Sequence, residues 1–473
     1  MRTMAFLQVP AVLLILFAVA KTAAEQVVHT DVAIIGGGAS GAHAAFRLQE
    51  DFGKSVVLIE KQSILGGHVD TYFDQQTGRI HDYGVQVYFP YEDALDFFAR
   101  LNLTLLPNPP RAANVARFVE FSTGKELADF RPLDSQRGTE AVRKFLALAT
   151  DKGYDKMTQP GYWNLPPGDS IPEDLLLPIG ELAKKYSIEP MLAAMYPSTG
   201  GGVGSRGDFN NVMTLTLMKS FPVAWIRAFL NDIEKFHVEG GNQRLFDTIA
   251  KRLGDSVFYD AVVTAAQRNE TGAYLTVEKR NGQKTIVVAK KLLLAVQPTL
   301  ENLAPFDLNQ QERSLFSKAK YGRSHTGIIS HSKLPNATTL RNMPAAAVQN
   351  PASPFLNTPF VLSISHYGGT SKLYSVGASG SDYGAFNEEE AQATVRSALE
   401  KMSEAGTLPN LEGEPLRVVA WSDHEVGGLG VSAGDMRDGK RSTWFTGGGV
   451  AADFTPILWK FNDDLLPRMV EKM

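Results

Sequence analysis

Hydrophobic and polar positions change rhythm several times along the chain. Val27 to Ile35 reads VVHTDVAII, β-branched and mostly apolar, as a strand buried on both faces should be. Ala39 to Glu50 carries helix formers and stops near Gly53, and Ser55 to Ile59, SVVLI, is again a continuous apolar run. Strand, helix and strand at this spacing predict a βαβ crossover. From about Ala116 to Phe236 apolar residues recur at helical spacing in GTEAVRKFLALATDKG, IPEDLLLPIGELAKKYSI and NVMTLTLMKSFPVAWIRAFL, with Pro and Gly clustered between them. That stretch predicts a helical cap over the first unit. SVFYDAVVTAAQ, AYLTVEKR and KTIVVAKKLLLAV then alternate like strands of a small sheet and return the chain to the first unit near Gln297 and Pro298. A second excursion runs from Glu301 to about Leu416, with YGRSHTGIISHS, FVLSISHY and KLYSVGAS as strands of another sheet; PLRVVAWSDH leads back. The reading is of two interleaved domains. One takes residues 25–115, 237–300 and 415–473; the other takes 116–236 and 301–414.

The length of 473 residues allows two or three domain-sized units and a large core. A net charge of −4 supplies no basic field, so no nucleic-acid partner is expected. With no cysteine, disulfides, thiolate catalysis and zinc–thiolate sites are excluded. No metal centre is expected. At the start, Arg2 precedes an apolar block from Val9 to Ala20, followed by KTAAEQ. A positive head, a short apolar core and small residues predict a secretory signal peptide over residues 1–24, cut after Ala24 or, second, after Ala20. The block is shorter than the roughly 20 residues that span a bilayer, so no stable membrane span is expected. Three sequons, at Asn102, Asn269 and Asn336, fit a secreted glycoprotein.

Directly after the first strand come Gly36, Gly38 and Gly41, spaced G-x-G-x-x-G. Gly36 suits a sharp turn, Gly38 close approach of the backbone to a pyrophosphate, and Gly41 close packing of helix on strand. The helix start points unpaired N–H groups at the phosphates, and Ser40 can add a hydroxyl. Glu60, 19 residues past Gly41, stands where a carboxylate accepts ribose hydroxyls. The glycines alone would also suit a tight turn; the whole series in order predicts a dinucleotide site. Near the other end, glycines 447 to 449 precede an apolar helix, Ile457 to Leu466. That repeats the logic of a glycine loop at a positive helix end, able to stabilise negative charge on a reduced ring.

Two further segments choose among dinucleotides. Gly66 and Gly67 lie in LGGHVDTY, and RIHDYGVQVY follows. NAD domains have no general need for either, whereas flavoproteins of the glutathione-reductase and amine-oxidase type have both. On IIGGGASGAHAAFRL with VVLIEK, LGGHVDTY, HDYGVQVY and TWFTGGGVAADFTPILWKF, with HVEGGNQRLFDTIAKRL as a looser match, the chain resembles the flavin-containing amine oxidase superfamily. More narrowly it resembles the secreted fungal beta-cyclopiazonate dehydrogenase-like family. The resemblance implies an α/β fold: a Rossmann-type FAD-binding domain interleaved with an α+β substrate domain. It implies FAD as cofactor, with Gly36, Gly38, Ala39, Ser40 and Gly41 on the diphosphate and Glu60 on the adenosine ribose, beside Lys61. Gly67 and His68 would continue around the phosphates, Gly84 and Val85 would lie near the flavin ring, and Val263 would meet the adenine. Gly448, Asp453, Phe454 and Thr455 would reach the ribityl chain and pyrimidine edge.

Departures from the superfamily carry information too. Without cysteine no cysteinyl flavin can form; a histidyl link stays open through His43, His68 or His81. The aromatic cage of amine oxidases is not evident, with Trp444, Phe445, Phe454 and Trp459 as candidates, so an amine substrate is in question. A flavin performs the redox chemistry itself, leaving the protein to hold substrate, exclude water and manage one proton. Lys320 and Arg323 in KAKYGRSHTG, and His424 in AWSDH, are the catalytic candidates; His325 and His331 also sit on strand-like runs. The adjacent His81 and Asp82 face opposite ways on a strand, so Asp82 reads as structural. The expected activity is an FAD-dependent oxidoreductase acting on a small, largely apolar secondary metabolite of indole or alkaloid character, with possible oxidative ring closure and molecular oxygen as acceptor. A redox-neutral isomerase of unsaturated lipids and a non-catalytic secreted flavoprotein are the alternatives.

Overall fold

The computed structural model describes residues 26–108, 113–161, 163–198, 206–318, 320–380, 386–428 and 439–473. The expected signal segment, 1–24, lies outside them.

Gln26–Ile35 runs through the middle of a seven-stranded sheet, parallel to Val56–Ile59 on one side and Lys284–Leu294 on the other. Both faces are covered, which is why these strands are apolar throughout: Val32, Ala33, Ile34, Leu58 and Leu292 are fully buried. Val257–Phe258 extends the sheet beyond Val56–Ile59. The three strands expected as a small sheet, within the segment 237–300 assigned to the same unit, are continuous with this one. Lys284–Leu294 is long enough to serve two neighbours on one side. Residues Lys284 to Ala289 carry the antiparallel meander Ala261–Asn269 and Gly272–Lys279, and Leu292 to Leu294 pair with Thr443–Phe445.

The crossover helix Ala39–Glu50 lies against the closing helix Thr455–Glu471, which extends beyond its expected ends. Asn462 Nδ2 donates to Ser40 O at 2.8 Å and Trp459 Nε1 to Ala39 O at 3.3 Å, tying the start of the first helix to the N-terminal half of the closing one.

A second seven-stranded sheet runs in the order Arg417–Gly428, Lys320–Ser330, Leu373–Gly380, Phe360–His366, Thr338–Asn342, Val115–Glu120, Lys125–Glu126. Two expectations change here. Residues 115–126 are strands of this sheet, not part of the helical cap. Arg417–Gly428, assigned from sequence to the nucleotide domain, pairs with Lys320–Ser330 along its length. The chain therefore leaves the second sheet only after Gly428. Glu388–Glu404 packs on the same sheet through Ala391, Val395, Ala398, Leu399 and Met402. Its start carries local sequence signals: Asn387 caps it, accepting from Glu390 N at 3.0 Å, and three glutamates fill the first turn.

The cap itself is helical from Ser135 onward, with Ser135–Asp151 its longest element. Runs expected as long helices break at Pro178 and Pro222, which supply no N–H for the preceding turn.

Candidate functional site

Three glycine loops converge at the C-terminal ends of the first sheet's parallel strands. In the first loop, Gly36 turns at φ +99° and a Cβ on Gly41 would stand 1.8 Å from Gly36 O. No other side chain fits there, so the helix start is held against the strand end. Glu60 is 7% exposed and anchored rather than solvated: one oxygen accepts Gly37 N–H at 2.6 Å, the other Gln62 N–H at 2.8 Å. Lys61 beside it is exposed. Ala261 N–H donates to Glu60 O at 3.0 Å, which brings the strand bearing Val263 to the acid's side.

The second loop, 65–68, folds back on the first. Gly66 N–H donates to Gly37 O at 3.0 Å, and Gln243 Nε2 donates to Leu65 O at 2.7 Å, pinning the loop to the helix Gln243–Leu253. A Cβ on Gly84 would lie 2.1 Å from His68 O, and Val85 N–H donates to that oxygen at 2.9 Å. Gly67, His68, Gly84 and Val85 thus form one wall. Asp82 accepts the backbone N–H of Asn242 at 2.9 Å and the Thr71 hydroxyl, and burial raises its pKa. It holds the hairpin to the Gly240–Gly241 turn, as a structural residue does.

In the third loop a Cβ on Gly448 would collide with Asp453 Oδ1 at 1.4 Å, and one on Gly449 with Pro298 and Gln297 Oε1. Asp453 accepts no hydrogen bond among the described residues. It stands half-buried at the start of the closing helix, enclosed by protein, and burial pushes its pKa well above the usual carboxylate range. Thr455 is buried behind it, and Phe454 turns toward the cap, edge-on to Phe89 at 6.2 Å and packed on Phe221 and Trp225.

These groups suit FAD. Two helix starts carry unpaired N–H groups that could meet a phosphate and the pyrimidine edge, and Ser40 Oγ is buried with no partner among the described residues. Gln297 Oε1 is orphaned likewise, at the third loop. When bound, FAD would supply the hydride-accepting chemistry; Gly36, Gly38, Ala39, Ser40, Gly41 and Glu60 would hold it on one side, and Gly448 with Asp453 to Thr455 on the other.

The histidines separate by environment. His43 is buried between Phe97 and Trp459, and burial lowers its pKa well below 6.5. His325 accepts from Trp421 Nε1 at 3.2 Å and bonds Phe386 O at 3.0 Å; His331 bonds Glu414 O and accepts Lys333 N–H. Both rings are fully used. His81 is buried against Tyr367, centroids 4.2 Å apart. His68 and His424 stack at 4.4 Å with planes 19° apart, joining the second loop to the strand Arg417–Gly428. Asp70 and Ser422, which no local signal singles out, sit beside that stack. Arg323 is 3.2 Å from Asp423, and the side chain of Lys320 lies outside the described residues. Of the four aromatic candidates, Trp444, Phe445 and Trp459 belong to the core; Phe454 alone is half-buried on the cap side.

Residues 34–101 match the family model of the NAD(P)-binding Rossmann-like domain. The chain is 29% identical over 457 residues to the beta-cyclopiazonate dehydrogenase of Aspergillus oryzae, covering 94% of each chain. It is 31% identical over 439 residues to the FAD-dependent oxidoreductase pigF of Monascus ruber, covering 89% of this chain and 88% of the relative. In backbone it resembles a CLA-producing fatty acid isomerase from P. acnes, at a TM-score of 0.69 and 18% identity, covering 93% of this chain and 98% of that one.

Proposed function

Given that the chain belongs to this family of FAD-dependent oxidoreductases, we propose that it takes a hydride from a small, largely apolar secondary metabolite, with molecular oxygen as the final acceptor. The observation that carries the substrate class is the surface beyond the third glycine loop. Phe454 directly follows Asp453 and continues into the apolar cluster of the cap through Phe89, Phe221 and Trp225. A substrate held there would meet the half-buried Phe454 ring, backed by the buried rings of Phe89, Phe221 and Trp225, an apolar lining that favours flat or unsaturated molecules. The relative's name, a dehydrogenase of beta-cyclopiazonate, supports oxidation of a secondary metabolite; an indole or alkaloid substrate and an oxidative ring closure are the finer parts of this proposal.

Of the two catalytic candidates whose side chains are described, Arg323 is paired with Asp423, which leaves His424 as the one better placed to handle a proton. Export belongs to the same proposal: Asn102, Asn269 and Asn336 are all exposed. Among the described residues no helix is long and apolar enough to cross a membrane. A mobility shift on endoglycosidase treatment of the native protein tests that part.

The activity is tested by anaerobic absorbance of the purified yellow protein against apolar indole and alkaloid metabolites. Bleaching of the flavin bands, followed by recovery and peroxide on readmitting air, is the expected result. Product formation with no peroxide would replace oxidation with redox-neutral isomerisation. No bleaching with any metabolite of this class would refute the substrate reading.

A further inference from the structure

At the seam between the two sheets, His424 of the strand Arg417–Gly428 reaches the second glycine loop. Its ring stacks on His68, its Nε2 is 2.9 Å from Ser422 Oγ and 3.7 Å from Asp70 Oδ2. Asp70 Oδ2 is buried and has no hydrogen-bond partner among the described residues. The Nδ1 of His424 makes no hydrogen bond among the described residues, although the residue is only 8% exposed. One imidazole nitrogen therefore faces a carboxylate and a hydroxyl, while the other is open. That is the arrangement of a general base whose tautomer is set from behind.

The position matters as much as the pairing. Glu425, the next residue, accepts from Gln297 Nε2 through its backbone oxygen at 3.2 Å, and Gln297 borders Gly449. His68 O packs on Gly84. His424 thus stands where the second loop, the Gly84 wall and the third loop meet.

We infer that His424 takes the proton that accompanies hydride loss from the substrate, and that Asp70 and Ser422 are its positioning residues. The inference rests on the redox reading above. The substrate's C–H bond breaks with its electron pair passing to the oxidised cofactor. The neighbouring N–H or O–H bond breaks heterolytically, its proton going to His424 Nδ1, and a C=N or C=O bond forms. Two electrons and one proton reach the cofactor as hydride, and one further proton reaches the protein.

Other charged groups around the stack are Lys61 on the side of His68, Tyr83 beside Asp70, and His325, Arg323 and Asp423 on the second sheet. Burial, with His424 and Lys61 nearby, holds His68 well below the ordinary imidazole range, so His68 stays neutral. The Asp70 carboxylate stands 3.7 Å from His424 Nε2, while Nδ1 is the ring nitrogen left without a hydrogen bond among the described residues.

The experiment uses holoenzyme and no substrate. The cofactor's midpoint potential is measured against pH by reductive dye titration in wild type, His424→Gln and Asp70→Asn, alongside histidine NMR titration of each protein. In wild type, proton uptake by His424 on reduction steepens the potential by about 30 mV per pH unit over one window, since a tenfold change in a two-electron equilibrium is 29.6 mV. His424→Gln removes that window, and Asp70→Asn lowers the His424 titration midpoint so that proton affinity falls at least tenfold. A potential profile unchanged in His424→Gln, or a His424 titration unmoved by Asp70→Asn, overturns the inference. If the protein holds no FAD, the redox reading fails while the NMR comparison still tests the His424–Asp70 pair.

Discussion

Gly38→Ala separates what the first glycine loop does for folding from what it does for the cofactor. Gly38 has φ −71°, a backbone that any residue adopts, and an added Cβ would meet Gly67 Cα at 3.6 Å, an ordinary contact. The variant should therefore fold with its apoprotein stability intact. Its methyl would nevertheless stand at the mouth between the two glycine loops, where the diphosphate must approach the first-turn N–H groups. Hydrogen bonds to charged groups contribute about 1.5–3 kcal/mol each. Losing two weakens FAD binding by about 3–6 kcal/mol, or about a hundredfold to ten-thousandfold. Gly41→Ala is the contrast: its Cβ at 1.8 Å from Gly36 O meets backbone that cannot step aside, so it loses both stability and cofactor. The assay is FAD titration of each apoprotein by flavin fluorescence quenching, paired with apoprotein thermal unfolding. Gly38→Ala binding FAD within threefold of wild type, or melting like Gly41→Ala, would refute the assignment of the loop.

Three other outcomes follow from the same geometry. Glu60→Gln places an NH2 group against one of two backbone donors, from Gly37 or Gln62, and should destabilise the apoprotein by about 1–3 kcal/mol in denaturant titration as well as weakening FAD. Asp82→Asn keeps the oxygen that accepts Asn242 N–H and the Thr71 hydroxyl, so it should preserve stability and flavin reduction. Asp82→Ala should lose about 1–3 kcal/mol, and an inactive but stable Asp82→Asn would show that Asp82 is not merely structural. Asp31 bonds Lys290 and Ser55, which lower its pKa from 3.8 to about 2. A depressed carboxylate stabilises fully above about pH 4 and loses that contribution as pH falls toward 2. Being a partly exposed pair, it contributes less than about 1 kcal/mol. Asp31→Asn should thus lower stability slightly at pH 6, and the gap to wild type should close by pH 2; a gap that widens on acidification would reverse the sign.

What could be read from the chain alone was chemistry contained in short segments. The run from Gln26 to Glu60 states its own geometry, because a buried parallel strand must be apolar, a tight turn needs glycine, and the acid sits one crossover away. The same locality made the closing helix readable, although its true extent, Thr455–Glu471, exceeded the expected one. Tertiary structure alone decided membership and proximity. Whether Arg417–Gly428 joins the first sheet or the second depends on register with Lys320–Ser330, about a hundred residues away, and alternating strands carry no label for their partner. The meander was likewise drawn into the main sheet by the length of Lys284–Leu294. His424 was visible as a histidine, but not Asp70 and Ser422 as its neighbours. A carboxylate gains meaning as a partner only when folding has removed water from around it and brought a ring within a few ångströms.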